Sequence, residues 1–385
     1  MQILQVILII HLFISGSNMK IKITFIISIL IVLFLPVFFF NVKTDVSNTE
    51  KRKLAPKPHL LKDDHFNERL FAECDNYLQD HMGFREALIS FDSKNPLKIE
   101  VSTNFDRALK GKDGWFFFTD PAYGNNLLDF YKRNLLNDKQ LNDFSHSIKE
   151  ITTWCDQNSI KYIFLIGPNK HSVYPEFYPF DRPKGMTRTD QLTEIFHKLD
   201  VPYIYPRDYL ISKKPDYNFP LYYQTDTHWN LEGAYLTYNL LKDEIISLFP
   251  QTKFPNPSYK RVISESTNFG DLLPILNLKE SKCTIVDYNL EGKQKTDYYT
   301  YLKNEDQGGV HTKGNNPDLP RAIVFRDSFF IALEPFVSPL FSEVDYIWKP
   351  FNDSYKNYIL EYKPDIIIFE SVERDSLRLS PAFQF

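Results

Sequence analysis

The strongest pattern along the chain is an apolar run at residues 23–40, ITFIISILIVLFLPVFFF, with no charge inside it and Lys20 and Lys22 just before it. A run of this length can cross the hydrocarbon core of a bilayer, and flanking positive charges stay on the cytoplasmic side. The rest of the chain is therefore expected outside the cytoplasm. No small-residue cleavage site follows at Phe38–Asn41, which favours an uncleaved anchor; a cleaved signal with an unusual site is the alternative. Met19-Lys20 reads as a natural start, which would make residues 1–18 an upstream extension. If they are genuine, Ile3–Ile14 is a second apolar run, too short to span comfortably.

Residues 41–62 are polar, charged and proline-bearing, the pattern of a linker. Over residues 64–94, Phe66, Leu70, Phe71, Tyr77 and Leu78 recur near the helical spacing; His81–Arg85 breaks that run and Glu86–Phe91 resumes it. This is expected to be a helical arm. Gly111–Trp115 reads as a turn, and the aromatic run behind it as a buried strand.

From there helices and strands alternate. Residues 138–158, 188–199 and Leu231–Phe249 carry helical periodicity. Lys161–Ile166, Val201–Tyr205, Ala322–Phe325 and Asp365–Phe369 are short apolar strands. Continuous apolar strands between helices predict a mostly parallel sheet covered on both faces. Residues 284–320 look irregular, and Gly308-Gly309 and Gly314–Pro317 mark loops there. In such a fold sites lie at the carboxyl ends of strands, where both Asn169-Lys170 and Ser328 fall.

The candidate chemistry is in two places. In Phe325-Arg326-Asp327-Ser328-Phe329 a buried strand meets a tight turn before a helix, which would expose the serine hydroxyl and aim helical N–H groups at any oxyanion formed there. The competing reading is that Asp327 or Ser328 is simply a helix cap. In Gln224-Thr225-Asp226-Thr227-His228-Trp229-Asn230, an extended segment would turn Asp226 and His228 to one face, where the carboxylate could fix the imidazole's tautomer and leave the other ring nitrogen for a nucleophile. Asn230 would cap the following helix. A polar loop with a surface histidine is the plainer reading, and a metal site is a third, for which His311 is an available but unplaced ligand.

Composition narrows this little. The aromatic fraction of 16%, with 33 Phe and 23 Tyr, fits either a stacking surface or an aromatic core. A net charge of −4 gives no electrostatic footprint for nucleic acid. Cys74, Cys155 and Cys283 form no CxxC pair, so neither a zinc site nor a disulfide framework is read from them.

Taken in order, the blocks Lys51–Pro58, Asp80-His81-Met82-Gly83-Phe84-Arg85, Gly111–Phe117, Pro168-Asn169-Lys170 with Tyr174-Pro175, Thr225–Trp229, Gly270-Asp271-Leu272, Arg326–Phe329 and Glu373-Arg374 resemble the alginate-type polysaccharide O-acetyltransferases, the AlgJ/AlgX group. The resemblance covers roughly residues 50–385. It implies an α/β, SGNH-hydrolase-like three-layer fold over residues 111–385, preceded by an anchor segment at 1–40 and a linker and helical arm at 41–110. It also implies Ser328 as nucleophile, His228 as general base and Asp226 as the residue orienting it.

The N–H of Ser328 and the side chain of Asn169 are then candidate oxyanion donors, with Gly270 a further one. Lys170 and Trp229 are candidates to line the site, though Trp229 could equally pack beneath the histidine loop. Arg326 stands where the SGNH pattern has Gly, and could contact an anionic sugar or pair with a carboxylate; Asp327 belongs to the same block. No cofactor or metal is implied. The implied partners are an exported polysaccharide as acceptor, a membrane-bound O-acyltransferase as donor, and the inner membrane. Transfer to water, as in an esterase or deacetylase, and a non-catalytic glycan-binding scaffold are the alternatives. The short chain end after the last strand favours the AlgJ-like over the AlgX-like arrangement.

Overall fold

The computed structural model describes residues 34–35, 38–40, 46–47, 52–62, 65–67, 70–85, 107–120, 124, 126–276, 278–303 and 309–384. Most of the apolar run at 23–40, and Glu86–Phe91 of the expected arm, lie outside these. Among the described residues no helix is long and apolar enough to cross a membrane. The chain forms two compact units: residues 1–102 with 276–278, and residues 103–275 with 279–385.

In the first unit the helical pattern yields α1 (Leu70–His81), shorter than expected. Phe66 belongs instead to a two-residue strand pairing with Leu61–Lys62. The helix stops where Phe84 takes a positive φ of 61°. Its last turn grips the chain ahead of it. The Ala55 N–H donates to Asp80 Oδ2 at 2.8 Å, and His81 Nε2 meets the Ala55 carbonyl at 3.0 Å. Two of the blocks noted in the sequence thus touch.

The second unit opens with a hairpin, β1 (Ala108–Lys110) and β2 (Phe116–Phe118), whose turn carries Asp113 and Gly114 at positive φ. Then follow α2 (Asp138–Gln157), β3 (Lys161–Gly167), α3 (Arg188–Lys198), β4 (Tyr203–Ile204) and α4 (Leu231–Leu248). Capping explains the sharp starts: Asn137 and Gln140 form a capping box at α2, Thr187 and Asp190 another at α3, and the Asn230 carboxamide accepts two N–H groups of α4.

An antiparallel ribbon comes next, β5 (Tyr259–Ser266) with β6 (Cys283–Leu290), then β7 (Tyr299–Lys303), β8 (Val310–Gly314), β9 (Arg321–Phe325), β10 (Glu343–Ile347), α5 (Lys356–Tyr362) and β11 (Ile366–Val372). The stretch 284–320, expected to be irregular, thus holds strands. Their pattern is too mixed and too exposed to read as a core strand, because a two-stranded or edge ribbon buries little. Gly314 is a strand end rather than a loop mark: a Cβ there would sit 2.2 Å from the Phe341 carbonyl, so only glycine lets β8 lie this close to its neighbour.

The seven-stranded sheet runs β7-β8-β10-β9-β11-β3-β4. Strands β10, β9, β11, β3 and β4 are parallel to their neighbours, and β8 and β7 extend one edge antiparallel. The sheet is mixed, with the parallel part central.

Side chains of the central strands alternate between two cores. Ala322, Val324, Ile366, Ile368, Ile163 and Leu165 enter one; Ile323, Phe325, Ile367, Phe369, Phe164 and Ile166 enter the other. Helices cover both faces, which is the three-layer arrangement. Register aligns Phe325, Phe369 and Phe164 across three strands, with ring centroids 5.9 and 4.8 Å apart in stacked pairs. Much of the aromatic content of the sequence is spent here and in the facing core.

Phe369 stands at the centre of this ladder with 2% exposure. Phe369→Ala is expected to lower the unfolding free energy by about 3–5 kcal/mol, read as a lower urea midpoint; an unchanged midpoint would contradict the ladder as a core element.

Candidate active site

Parallel neighbours deliver their carboxyl ends to one edge, and β9, β11 and β3 stand side by side. From β9 comes Arg326-Asp327-Ser328, from β3 comes Pro168-Asn169-Lys170, and from β11 comes Glu373-Arg374.

Asp327 builds the turn after β9. Its Oδ1 accepts the Phe329 N–H at 2.8 Å, capping the 3-10 helix Ser328–Ala332, and its Oδ2 accepts the Val372 N–H of β11 at 2.7 Å. Its own N–H donates to Glu370 Oε2 at 2.9 Å. The turn is thereby tied twice to the neighbouring strand, and Ser328 is presented half-buried at the first helical position. The cap and the exposed serine, which competed as readings of the sequence, are both present, on adjacent residues.

The Asp226–His228 loop is bent rather than extended. Asp226 Oδ1 accepts both the His228 N–H at 2.9 Å and His228 Nδ1 at 2.7 Å. A carboxylate binding a backbone N–H two residues on is an Asx turn, and that turn, not strand alternation, brings the pair together. His228 Nε2 then lies 2.8 Å from Ser328 Oγ. Asp226, His228 and Ser328 form one continuous chain of hydrogen bonds.

Three supports hold this loop. Lys170 Nζ donates to the carbonyls of Tyr223, Gln224 and Asp226 at 2.9, 3.2 and 2.5 Å. Trp229 is buried and donates its Nε1–H to the Phe329 carbonyl at 3.1 Å, tying the loop to the serine helix. Asp271 accepts the Thr227 N–H and hydroxyl on Oδ1 at 2.7 and 3.1 Å, and its own N–H donates to Asp226 Oδ2 at 3.0 Å.

Several sequence candidates therefore have other work. Lys170 and Trp229 brace the loop from beneath and are not surfaces for a substrate. Gly270, at φ 113°, leaves room for the Thr225 carbonyl, which a Cβ would approach to 2.1 Å; its place is against that backbone. Arg326 is buried and pairs with Glu334 at 2.8 Å, so of its two readings the carboxylate pairing is the one seen. Asn169 does reach the site edge: Glu373 Oε2 holds its N–H at 2.7 Å, Arg374 meets its Oδ1 at 3.4 Å, and its buried Nδ2 has no partner among the described residues. Asp271, Glu373 and Arg374 sat in noted blocks, but nothing in their spacing gave them roles.

Burial disfavours charge on His228, yet the hydrogen bond and charge of Asp226, with Asp271 adding, raise its pKa above the ordinary imidazole value. Burial pushes the other way on Asp226, but the same hydrogen bond and charge hold its carboxyl below the ordinary range. Asp271 is raised, by burial and by the neighbouring Asp226 charge. Burial lowers Lys170 to about 8 against the pull of Asp226 and Asp271.

Ligand atoms of Asp226, His228 and Asp271 lie within 4.8 Å of one another, a set that could hold a metal ion. His311, the ligand available in the sequence, is instead in β8 beside Asp345, at 3.9 Å. Both ring nitrogens of His228 already have partners, so a metal there would have to displace Asp226 or Ser328.

A family model described as SGNH hydrolase-like domain, acetyltransferase AlgX, matches residues 108–313, just over half of the chain. The matched stretch contains Asp226, His228 and Asp271 and ends before Ser328. Among solved structures, Bacillus cereus PatB1 superposes with a TM-score of 0.53 at 17% identity, covering 73% of this chain and 99% of that one. The O-acetyltransferase domain of Pseudomonas putida AlgJ gives 0.46 at 17% identity, over 70% and 92%. Pseudomonas aeruginosa AlgX gives 0.43 at 13%, over 74% and 66%. No curated protein sequence matches the chain. The fold of the second unit and the matched family model together place this chain in the AlgX-type family of SGNH hydrolase-like acetyltransferase domains.

Proposed function

We propose that the protein is an O-acetyltransferase acting through an acyl-serine, with Ser328 as nucleophile, His228 as general base and Asp226 orienting the imidazole. The observation that carries this reading is the hydrogen-bonded chain Asp226 Oδ1–His228 Nδ1 and His228 Nε2–Ser328 Oγ at 2.7 and 2.8 Å. A serine hydroxyl needs such a base, and the base needs a fixed tautomer.

In the first half-reaction His228 Nε2 takes the Ser328 proton as Oγ attacks the acetyl carbonyl of a donor. The tetrahedral oxyanion would meet the unpartnered Nδ2 of Asn169 and the N–H of Ser328. Collapse expels the donor's alcohol, which takes the proton from His228, and leaves acetyl on Oγ. In the second half-reaction His228 takes the proton of an acceptor hydroxyl, whose oxygen attacks the acetyl carbonyl. Collapse then returns the Ser328 hydroxyl and releases the acetylated acceptor.

The family favours a polysaccharide as acceptor, a membrane-bound O-acyltransferase as donor partner and a place outside the cytoplasm. The apolar run at 23–40 fits a tether to the inner membrane. In this reading residues 41–110 are linker and arm, and residues 111–385 the catalytic domain. With water as acceptor the same groups give an esterase, so product analysis with and without sugar separates the two. The 2.8 Å contact between His228 and Ser328 weighs against a non-catalytic scaffold.

Ser328→Ala is expected to reduce p-nitrophenyl acetate turnover by about a thousandfold or more; wild-type turnover in this variant would end the acyl-serine reading. The pH profile gives an independent check. His228 must be neutral to act, so the rate should fall as pH drops through an inflection above about 6.5. Asp226→Asn removes the main carboxylate that raises the imidazole, leaving Asp271, and should shift the inflection down while lowering the plateau. An inflection that stays in place would exclude His228 as the titrating base.

A further inference from the structure

Beside the histidine loop lies a small open recess, about 220 Å³ counting the part that faces solvent, with Phe118, Asn126, Asn169, Thr227 and Arg374 among its walls. Asn169 stands just before the short helix Lys170–Val173, where an asparagine ordinarily accepts helical N–H groups. Its side chain makes no such cap. Asn230, in the same position before α4, does. The Asn169 carboxamide is therefore free of capping, and what holds it comes from the far end of the chain.

Glu373 and Arg374 follow directly on β11. Glu373 is buried and takes the Asn169 N–H on Oε2 at 2.7 Å and the Ser172 hydroxyl on Oε1 at 2.9 Å. Arg374 reaches the carboxamide itself, its Nη1 donating to Asn169 Oδ1 at 3.4 Å. A guanidinium has donors and no acceptor, so it decides which end of an amide faces it. The oxygen must turn to Arg374 and the amide NH2 away. That NH2 group, on Nδ2, has no partner among the described residues. Arg374 is itself clamped. Its guanidinium lies 5.2 Å from the centre of the Phe118 ring and 5.5 Å from that of Phe329, the residue after Ser328, both within cation–π range. Its carbonyl accepts from the buried Arg188 at 2.7 Å, and Asp129 holds Arg188 in turn at 3.0 Å.

We propose that Arg374 is a positioning residue for acyl transfer: it locks the Asn169 carboxamide with Nδ2–H toward the reacting carbonyl, while Glu373 locks the backbone beneath it. The inference rests on the acyl-serine reading. Arg374 works through Asn169 and touches neither donor nor acceptor. A second effect makes the role measurable. Burial opposes charge on His228, Asp226 and then Asp271 favour it, and Arg374 opposes it. Losing the guanidinium should therefore raise the imidazole pKa, whereas losing the neutral Asn169 amide should leave it in place.

The test is a double-mutant cycle on the full chain with p-nitrophenyl acetate. Plateau kcat, KM and the pH inflection are measured for each variant, with its thermal unfolding midpoint beside them. Asn169→Ala should lower kcat about a hundredfold and leave the inflection where it is. Arg374→Met should lower kcat about tenfold or more with little change in KM, and should move the inflection up. The double variant should be no slower than Asn169→Ala, because Arg374 then has nothing to position. Arg374→Lys keeps the charge without the planar fork, so kcat should fall while the inflection stays near that of the wild type. Where a lowered midpoint shows that Arg374→Met has lost its fold, Arg374→Lys takes its place in the cycle. The proposal falls if Asn169→Ala turns over at the wild-type rate, if the two losses multiply in the double variant, or if Arg374→Met changes KM alone. Ser328→Ala separates the two failures. A wild-type rate in that variant ends the acyl-serine reading, whereas an inactive Ser328→Ala beside multiplying losses ends only the role of Arg374.

Discussion

The candidate site depends on the parallel pairing of β3, β11 and β9. Parallel strands in register end together, so three chain segments far apart in sequence emerge at one edge within reach of each other. The pairing is held from both faces: each strand contributes apolar side chains alternately to two cores, and a slip of one residue would exchange the faces of a whole strand. The position of Ser328 is therefore fixed by packing along the strands that lead to it, including the stacked rings of Phe325, Phe369 and Phe164.

On that frame, polar groups do the fine positioning. Asp327 spends one oxygen on capping and the other on the adjacent strand, so the serine turn cannot rotate without breaking a bond to β11. The histidine loop has no regular structure of its own between Tyr222 and Trp229. Its carbonyls are gathered instead by a single buried amine, Lys170, and its carboxylate by backbone N–H groups of His228 and Asp271. Burying a cation costs much less when three carbonyls replace its water. The result is an irregular loop with the fixity of a secondary element.

Much of this was legible in the sequence, for identifiable reasons. Helices with caps, such as Asp138–Gln157, and strands buried on both faces, such as Ile366–Val372, announce themselves through periodicity and composition. The exposed ribbon strands of residues 283–314 did not, because they bury too little to need an apolar pattern. Asp226, His228 and Ser328 could be named as candidates because their types carry chemistry. The supporting ones were harder. Lys170 and Trp229 have the character of ligand-binding residues, and only burial shows them facing inward. Asp271 looks like any loop aspartate until its bonds to Thr227 and Asp226 are seen.

The spacing of the site along the chain has a consequence for how the protein reaches its working state. His228 and Ser328 are 100 residues apart, and Asn169 meets Glu373 across 204. Closing loops of that length must be compensated by many other contacts before the pairing can persist. No local fragment can bring His228, Ser328 and Asn169 together. A chain interrupted before residue 366 would lack the strand that joins β9 to β3, so Ser328 and Asn169 would no longer share one sheet edge.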